Sequence, residues 1–329
     1  MKLSVIIPVY NCEKYIQKCL EIIIGEIDDF AEVIVVDDGS KDNTLAICRQ
    51  YESKNVHIIH QENQGVSMAR NKGIEHSSGD YVMFVDADDS LVTGWYSLVK
   101  KYCTDQYDIV YFGSDYNDLG LLHNEVILNI FCVPNKKRTN YLASVWSKLF
   151  KRQIIIDHHI TFDQGLINGE DLLFSLEVFL CSSKYKFVKS GIYHYFVNYE
   201  SATHVFKDTF VTSNELFLKK AQTIFTKYNV DTHIVETCLK YSFITGVILL
   251  LIRISYIEDE QKQNKKLSLF NLPYIVHGLH RYQIGFNEYG FQTQILYWLI
   301  SHRMYAIALY ILNLKFKKSS NKTNKFIQI

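Results

Sequence analysis

The stretch YVMFVDADDSL, Tyr81 to Leu91, runs apolar and then places Asp86, Asp88 and Asp89 within four positions. Carboxylates this close repel one another, so the cluster needs a positive partner. A divalent cation is the simplest candidate, since hard oxygen ligands suit Mg²⁺ or Mn²⁺. A second pair of acids, Glu170 and Asp171 in NGEDLLF, opens a helical pattern. A carboxylate there can serve as a general base, or can simply sit where a helix start favours negative charge. The residues alone leave those two readings even. Asp38 and Ser40 in VVDDGS close an apolar run; they could meet a ligand or cap the next helix. The run DHH, Asp157 to His159, reads as surface, because adjacent residues on extended chain do not easily chelate one ion.

Alternating elements must position these acids. LSVIIPVY, EVIVVDD, VHIIH and YVMFVD read as strands buried on both faces. Between them CEKYIQKCLEII, SKDNTLAICRQYE and GVSMARNKGIEHS read as helices, the first with Tyr15, Ile16, Cys19, Leu20 and Ile23 on one face. Strands spaced by helices imply βαβ units and a parallel sheet. Ligands bind beyond the carboxyl ends of such strands, where PVYN, VVDDGS and VDADD converge. Caps do not account for three carboxylates in DADD, so a binding site is expected. Neither a Walker sequence nor a GxGxxG turn is present. Carboxylates accept a diphosphate when a divalent metal bridges them, and Asp38 could accept from a base or ribose. The chemistry points to a metal-bound nucleoside diphosphate whose departure the metal assists.

In the middle of the chain, DIVYFGSDY reads as a strand, VWSKLFKRQII and EDLLFSLEVFLC as helices, and KFVKSGIYHYF as a strand pair or one bent strand. From about Lys207 the pattern is helical, with EDEQKQNKK, Glu258 to Lys266, as a polar loop. FITGVILLLI is too short for the ~20 residues of a span. ILYWLISHRMYAIALYILNL is long enough but carries His302 and Arg303 near its middle. It could be a core helix, a homodimer interface or an interfacial membrane helix. Trp298, the tyrosines and the basic flank KFKKSSNKTNK favour an anionic membrane surface, which predicts a peripheral protein without a span. The whole chain, 48% hydrophobic and 21% charged with zero net charge, has the composition of a globular protein. That balance argues against non-specific nucleic-acid binding. Seven cysteines without a CxxC predict free thiols in a reducing cytoplasm. The start, MKLSVIIPVY, reads as a first strand rather than a signal peptide.

SVIIPVYN, VVDDGSKDNT, NQGVSMARNKG and FVDADD, in that order, resemble the inverting family-two glycosyltransferases of the GT-A fold. VWSKLFKR and NGEDLLF resemble later motifs of the same family, particularly in bacterial enzymes that build capsule, exopolysaccharide or teichoic-acid chains. The resemblance covers about the first two hundred residues. It implies an α/β, Rossmann-like, mostly parallel sheet flanked by helices, with a helical C-terminal appendage. It further implies a nucleotide-sugar half over 1–105, an acceptor half with the catalytic base over 106–206, and a helical region over 207–329. Position by position, Pro8 and Tyr10 would line a uracil pocket, Asp38 would bind the base, and Asn63 and Arg70 would lie near the nucleotide. Asp86 and Asp88 would form the DxD pair that holds Mn²⁺ or Mg²⁺, with Asp86 shared between metal and ribose. Asp89 would be an extra acid, a candidate cap for the following helix. Asp171 would be the base, with Glu170 orienting substrate. Phe196 stands where many relatives carry an arginine, so His194 or His204 would supply a substitute contact. The implied activity is transfer of a hexose or N-acetylhexosamine from a UDP-sugar to a growing surface glycan, lipid-linked at the inner face of the membrane. Alternatives are a teichoic-acid glycosyltransferase and a non-catalytic sugar-nucleotide-binding partner. A nucleotidyltransferase would need a Gly-rich basic loop after the first strand, and PVYNCEKY is not one.

Overall fold

The structure, a computed structural model, describes residues 2–113, 123–133, 142–194, 209–257, 259–284 and 289–319. Phe196 and His204 fall outside them. Strands β1 (Leu3–Val9), β2 (Ala31–Asp37), β3 (Val56–His60) and β4 (Tyr81–Phe84) pair in parallel, with helices α1 (Ile16–Ile24), α2 (Thr44–Arg49) and α3 (Val66–His76) as crossovers. After β5 (Ser90–Leu91) and α4 (Trp95–Lys100), the sheet is extended by β6 (Ile109–Phe112), β7 (Lys148–Lys151) and β8 (Tyr185–Val188). The seven strands run β3-β2-β1-β4-β7-β6-β8, with β7 antiparallel to both neighbours. A separate ribbon pairs β5 with β9 (Tyr193–His194). Helices α5 (His123–Ile130), α6 (Arg152–Asp157) and α7 (Glu170–Cys181) complete the sheet region.

Side chains alternate across a strand, and so the sheet separates two apolar layers. Leu3, Val5, Ile7 and Val9 of β1 face Ile16, Leu20 and Ile23 of α1 and Trp95 of α4. Ile6, Ile34 and Phe84 face Ala69 of α3 and Phe174 of α7 on the other side. There α3 approaches the sheet closely because Gly73 has no Cβ: one built on it would lie 2.3 Å from Ile6 Cγ2. Arg70, one turn earlier on the same face, is thereby held against the end of the sheet.

The second apolar layer continues into helices α8 (Phe210–Lys227), α9 (Thr232–Ser255), α11 (Pro273–Arg281), α12 (Phe291–Ser301) and α13 (Tyr305–Ser319), with the polar α10 (Glu260–Lys266) following α9. Several expectations are corrected here. VWSKLFKRQII is not one helix: Leu149 and Phe150 enter opposite layers, the period of a strand, and only Arg152–Asp157 is helical. The polar EDEQKQNKK stretch is helical from Glu260, because Asp259 accepts from the Lys262 N–H at 3.0 Å and caps the turn. Buried Gln263 then anchors that turn to the Ser255 and Ile257 carbonyls. ILYWLISHRMYAIALYILNL breaks at His302–Met304, where Arg303 takes φ +60, giving α12 and α13. FITGVILLLI lies inside α9, whose 24 residues are long and apolar enough to cross a membrane. However, 56% of the residues in its most apolar stretch are buried within the protein.

Candidate functional site

The first three strand ends are laced together. Beyond β1, Asn11 adopts φ +49. Its N–H donates to Ser40 Oγ (2.9 Å) and its Oδ1 accepts from the Lys41 N–H (2.8 Å). Tyr10 beside it is exposed, whereas Pro8 is buried within β1 opposite Val36. The buried Asp38 carboxylate accepts from Gln61 Nε2 and from the Gln64 and Gly65 N–H groups, each at 2.8 Å. It thus ties β2 to the start of α3, not to α2 as the capping alternative had it. Asn63, exposed, donates from Nδ2 to the Asp38 carbonyl (2.9 Å). Asp37, which sequence reasoning passed over, is fully buried; its Oδ2 lies 2.7 Å from His60 Nδ1, while its Oδ1 has no hydrogen-bond partner among the described residues.

The acids at the end of β4 meet a cation supplied by the chain itself. Arg70, 4% exposed, donates from Nη2 to Asp86 Oδ1 (3.0 Å) and from Nη1 to Asp171 Oδ1 (2.5 Å), with Glu170 Oε1 at 3.5 Å. Its guanidinium also lies over the Phe162 ring, 5.3 Å from the centroid. One buried arginine therefore joins the β4 acid to both α7 acids across 101 residues of sequence. The signal for this was legible: Ser67, Arg70 and Ile74 share the buried face of α3, and an arginine on such a face needs acids.

Glu170 and Asp171 open α7 after Gly169, which takes φ +87. Both carboxyls are pushed above the usual carboxylate range, chiefly by burial, against the opposing pull of Arg70. A backbone hydrogen bond from Val145 also favours the charged form of Asp171. Asp171 remains reachable, its side chain 26% exposed, while that of Glu170 is 13% exposed. A reachable carboxylate with raised basicity is what proton abstraction near neutrality needs. Lys148 of β7 lies beneath, bonded to the Ser144 carbonyl and hydroxyl. Burial pushes its ammonium down to about 7, with Asp171 acting in the opposite direction.

Asp89 caps no helix. It is buried and accepts from the Tyr193 hydroxyl (2.7 Å), which in turn accepts from the Asp86 N–H (3.0 Å). Tyr193 stacks on Trp146 at 4.8 Å, so the acidic turn is pinned from the β9 side. The cap of α4 is instead Glu26, whose Oε1 accepts from the Gly94 N–H at 2.7 Å. His194 pairs with Ser90 in the small ribbon and is exposed. The Asp157–His159 run is exposed, as expected.

Asp86 and Asp88 are half-buried on either side of buried Ala87. Among the described residues no three His, Cys, Asp or Glu side chains gather into a cage. This donor set suits a hard cation held by one or two carboxylates and completed by ligand phosphates, and does not suit an all-protein site.

The family described as Glycosyl transferase family 2 matches residues 4–163. Glycosyltransferase GlyG of Streptococcus pneumoniae serotype 4 is 30% identical over 214 residues, 59% of this chain and 70% of GlyG. Glycosyltransferase GlyA of the same organism is 33% identical over 227 residues, 63% of this chain and 32% of GlyA. The chain spans less than two thirds of the length of GlyA and of several other curated relatives. The crystal structure of S. aureus TarS 1–349 in complex with UDP-GlcNAc aligns with a TM-score of 0.62 at 19% identity, covering 97% of this chain and 92% of that one. At that identity the likeness concerns the fold, which is GT-A with a helical C-terminal region. With its opening strands, acidic turn and first crossovers all inside the matched segment, the chain belongs to glycosyl transferase family 2.

Proposed function

We propose that this chain is an inverting, metal-dependent glycosyltransferase that moves a hexose or N-acetylhexosamine from a UDP-sugar to a growing bacterial surface glycan. The acceptor would be a capsule or exopolysaccharide repeat unit carried on lipid at the cytoplasmic face of the membrane. The observation that carries this reading is the shared guanidinium of Arg70, which brings Asp86 and Asp171 to one point of the crevice. Asp171 takes the proton of an acceptor hydroxyl, and that hydroxyl's oxygen bonds to the anomeric carbon as the bond from that carbon to the UDP oxygen breaks, with inversion and release of UDP. Asp86 and Asp88 would hold Mn²⁺ or Mg²⁺, which neutralises the departing diphosphate. Pro8, Tyr10, Asp38, Asn63 and Arg70 serve the nucleotide-sugar, Glu170 orients substrate, and His194 or His204 contacts the diphosphate. In this reading residues 1–105 serve the donor, 106–206 the acceptor and the base, and 207–329 the attachment of the enzyme. The UDP-GlcNAc complex of the TarS fold neighbour is in line with a UDP-sugar donor.

The test is calorimetric titration with UDP, then UDP release from a panel of UDP-sugars. UDP affinity is expected to fall sharply with EDTA and to return with Mn²⁺ or Mg²⁺. Equal affinity with and without metal would remove the DxD assignment, and no UDP release from any sugar would favour a non-catalytic binder.

A further inference from the structure

The last two helices show a surface that the fold leaves uncovered. Phe291 and Trp298 of α12 and Ile307, Tyr310 and Ile311 of α13 are between 41% and 76% exposed. Single exposed apolar side chains are ordinary, but five on adjoining helices form a patch. The two helices are joined by a groove of about 540 Å³, in which Phe291, Ile295 and Trp298 lie beside Ile311. The opposite faces are buried: Leu296, Tyr297, Leu299 and Ile300 of α12 and Ala308, Leu309 and Leu312 of α13 enter the core. Both helices are therefore docked on the protein by one side and present aromatic and aliphatic groups on the other.

Charge selects the occupant. The chain as a whole is neutral, yet its last 41 residues, Tyr289 to Ile329, contain no Asp or Glu. They carry Arg303, Lys315, Lys317, Lys318, Lys322 and Lys325. The absence of any acid in this stretch of sequence gives two copies no opposite charge to pair through, which disfavours an isologous dimer. A surface both apolar and negatively charged suits the patch and the lysines together. At ~1.5 Å per residue, α12 is roughly 16 Å long and α13 roughly 22 Å, so neither spans a ~30 Å hydrocarbon layer. Exposed aromatic rings on helices whose sequence runs into lysines settle at the boundary of such a layer.

We infer that the exposed face of α12 and α13, centred on Phe291, Trp298 and Tyr310, is a docking surface for a bilayer bearing anionic headgroups. The longer α9 is more than half buried within the protein over its most apolar stretch. The inference rests on the lipid-borne acceptor proposed above for its purpose, but its observations are separate. The full-length protein is mixed with vesicles of phosphatidylglycerol or of phosphatidylcholine, and partition is read by sedimentation. Partition into the anionic vesicles is expected, weakening with salt and falling about fivefold for each lysine neutralised in Lys317→Gln and Lys318→Gln. Phe291→Ser with Trp298→Ser and Tyr310→Ser, all at exposed positions, should lower it at least tenfold with an unchanged circular dichroism spectrum. Lipids brominated in the acyl chain should quench Trp298, since Trp95 is fully buried and Trp146 is half-buried, stacked on Tyr193 in the sheet region, and Trp298→Phe should abolish most of that quenching. Absence of partition at low salt, or partition that the triple variant leaves unchanged, would overturn the inference. So would a stable dimer in sedimentation velocity that the triple variant dissociates. UDP binding in solution should be the same in all these variants, so loss of donor binding and loss of vesicle binding are read independently.

Discussion

Replacing Arg70 with methionine removes the one cation shared by Asp86, Glu170 and Asp171 while keeping much of the side-chain volume. Arg70 is 5% exposed at the side chain, and its partners are between 13% and 28% exposed. Breaking a buried ion pair by deleting one partner costs ~3–5 kcal/mol. The partial exposure of the acids places this case near the lower end, about 3 kcal/mol, or about two decades in the folding equilibrium. The loss should depend on pH. In the fold Glu170 and Asp171 already titrate above the ordinary carboxylate range, because burial outweighs Arg70. A raised carboxyl contributes stability below its unfolded pKa and loses it as pH rises through the folded one. Without Arg70 the folded values rise further. The deficit of the variant should then be small while the carboxyls stay protonated in both folds, and grow as pH rises through their raised folded values, about 8 for Glu170. Urea unfolding of wild type, Arg70→Met and Arg70→Lys, at about pH 6 and about pH 9, reads this directly. Arg70→Lys should recover part of the loss, since it restores charge but not the two-pronged geometry. Equal midpoints for wild type and Arg70→Met at the higher pH would refute the shared-cation account.

Asp171→Asn should keep UDP affinity and lower turnover by ~10²–10⁴-fold; near-normal UDP release would move the base to Glu170. Tyr193→Phe strips the Asp89 carboxylate and the Asp86 N–H of a common partner. It should cost ~1–3 kcal/mol in chemical unfolding and weaken metal-dependent UDP binding, and unchanged values for both would show that the tyrosine does not hold the acidic turn. Gly169→Ala forces a side chain into φ +87 with Phe217 Cδ2 only 2.6 Å from the new Cβ. A loss of ~1–3 kcal/mol is expected from strain and overpacking, and a wild-type melting curve would contradict it.

The pattern of β-branched runs and amphipathic helices over the first ninety residues determined β1 to β4, their parallel pairing and the position of the acids at the carboxyl ends. That part was legible because each element there has its own period and each motif sits at a strand end. The acids at 170–171 were legible as candidates but not as partners of Asp86, since nothing local connects α3, β4 and α7. Tertiary structure decided that connection by packing Gly73 against Ile6, which holds Arg70 at the meeting point. It also decided that Lys148–Lys151 is a strand. Four residues carry too little periodicity, and only two flanking strands with an apolar layer on each side make extension the favourable conformation. Asp89 and Asp259 show the same limit from opposite directions. A capping-type residue before a helix was expected at Asp89, and none was expected at Asp259. The backbone N–H groups a carboxylate can reach are fixed by where the chain turns, and composition does not encode that turn. In the C-terminal helices, sequence established high apolarity and the basic end. Burial alone separated α9, more than half buried in its most apolar stretch, from α12 and α13, which bury one side and leave Phe291, Trp298, Ile307, Tyr310 and Ile311 facing outward. Hydrophobicity states how much surface is to be removed from water, and only the three-dimensional arrangement states against what.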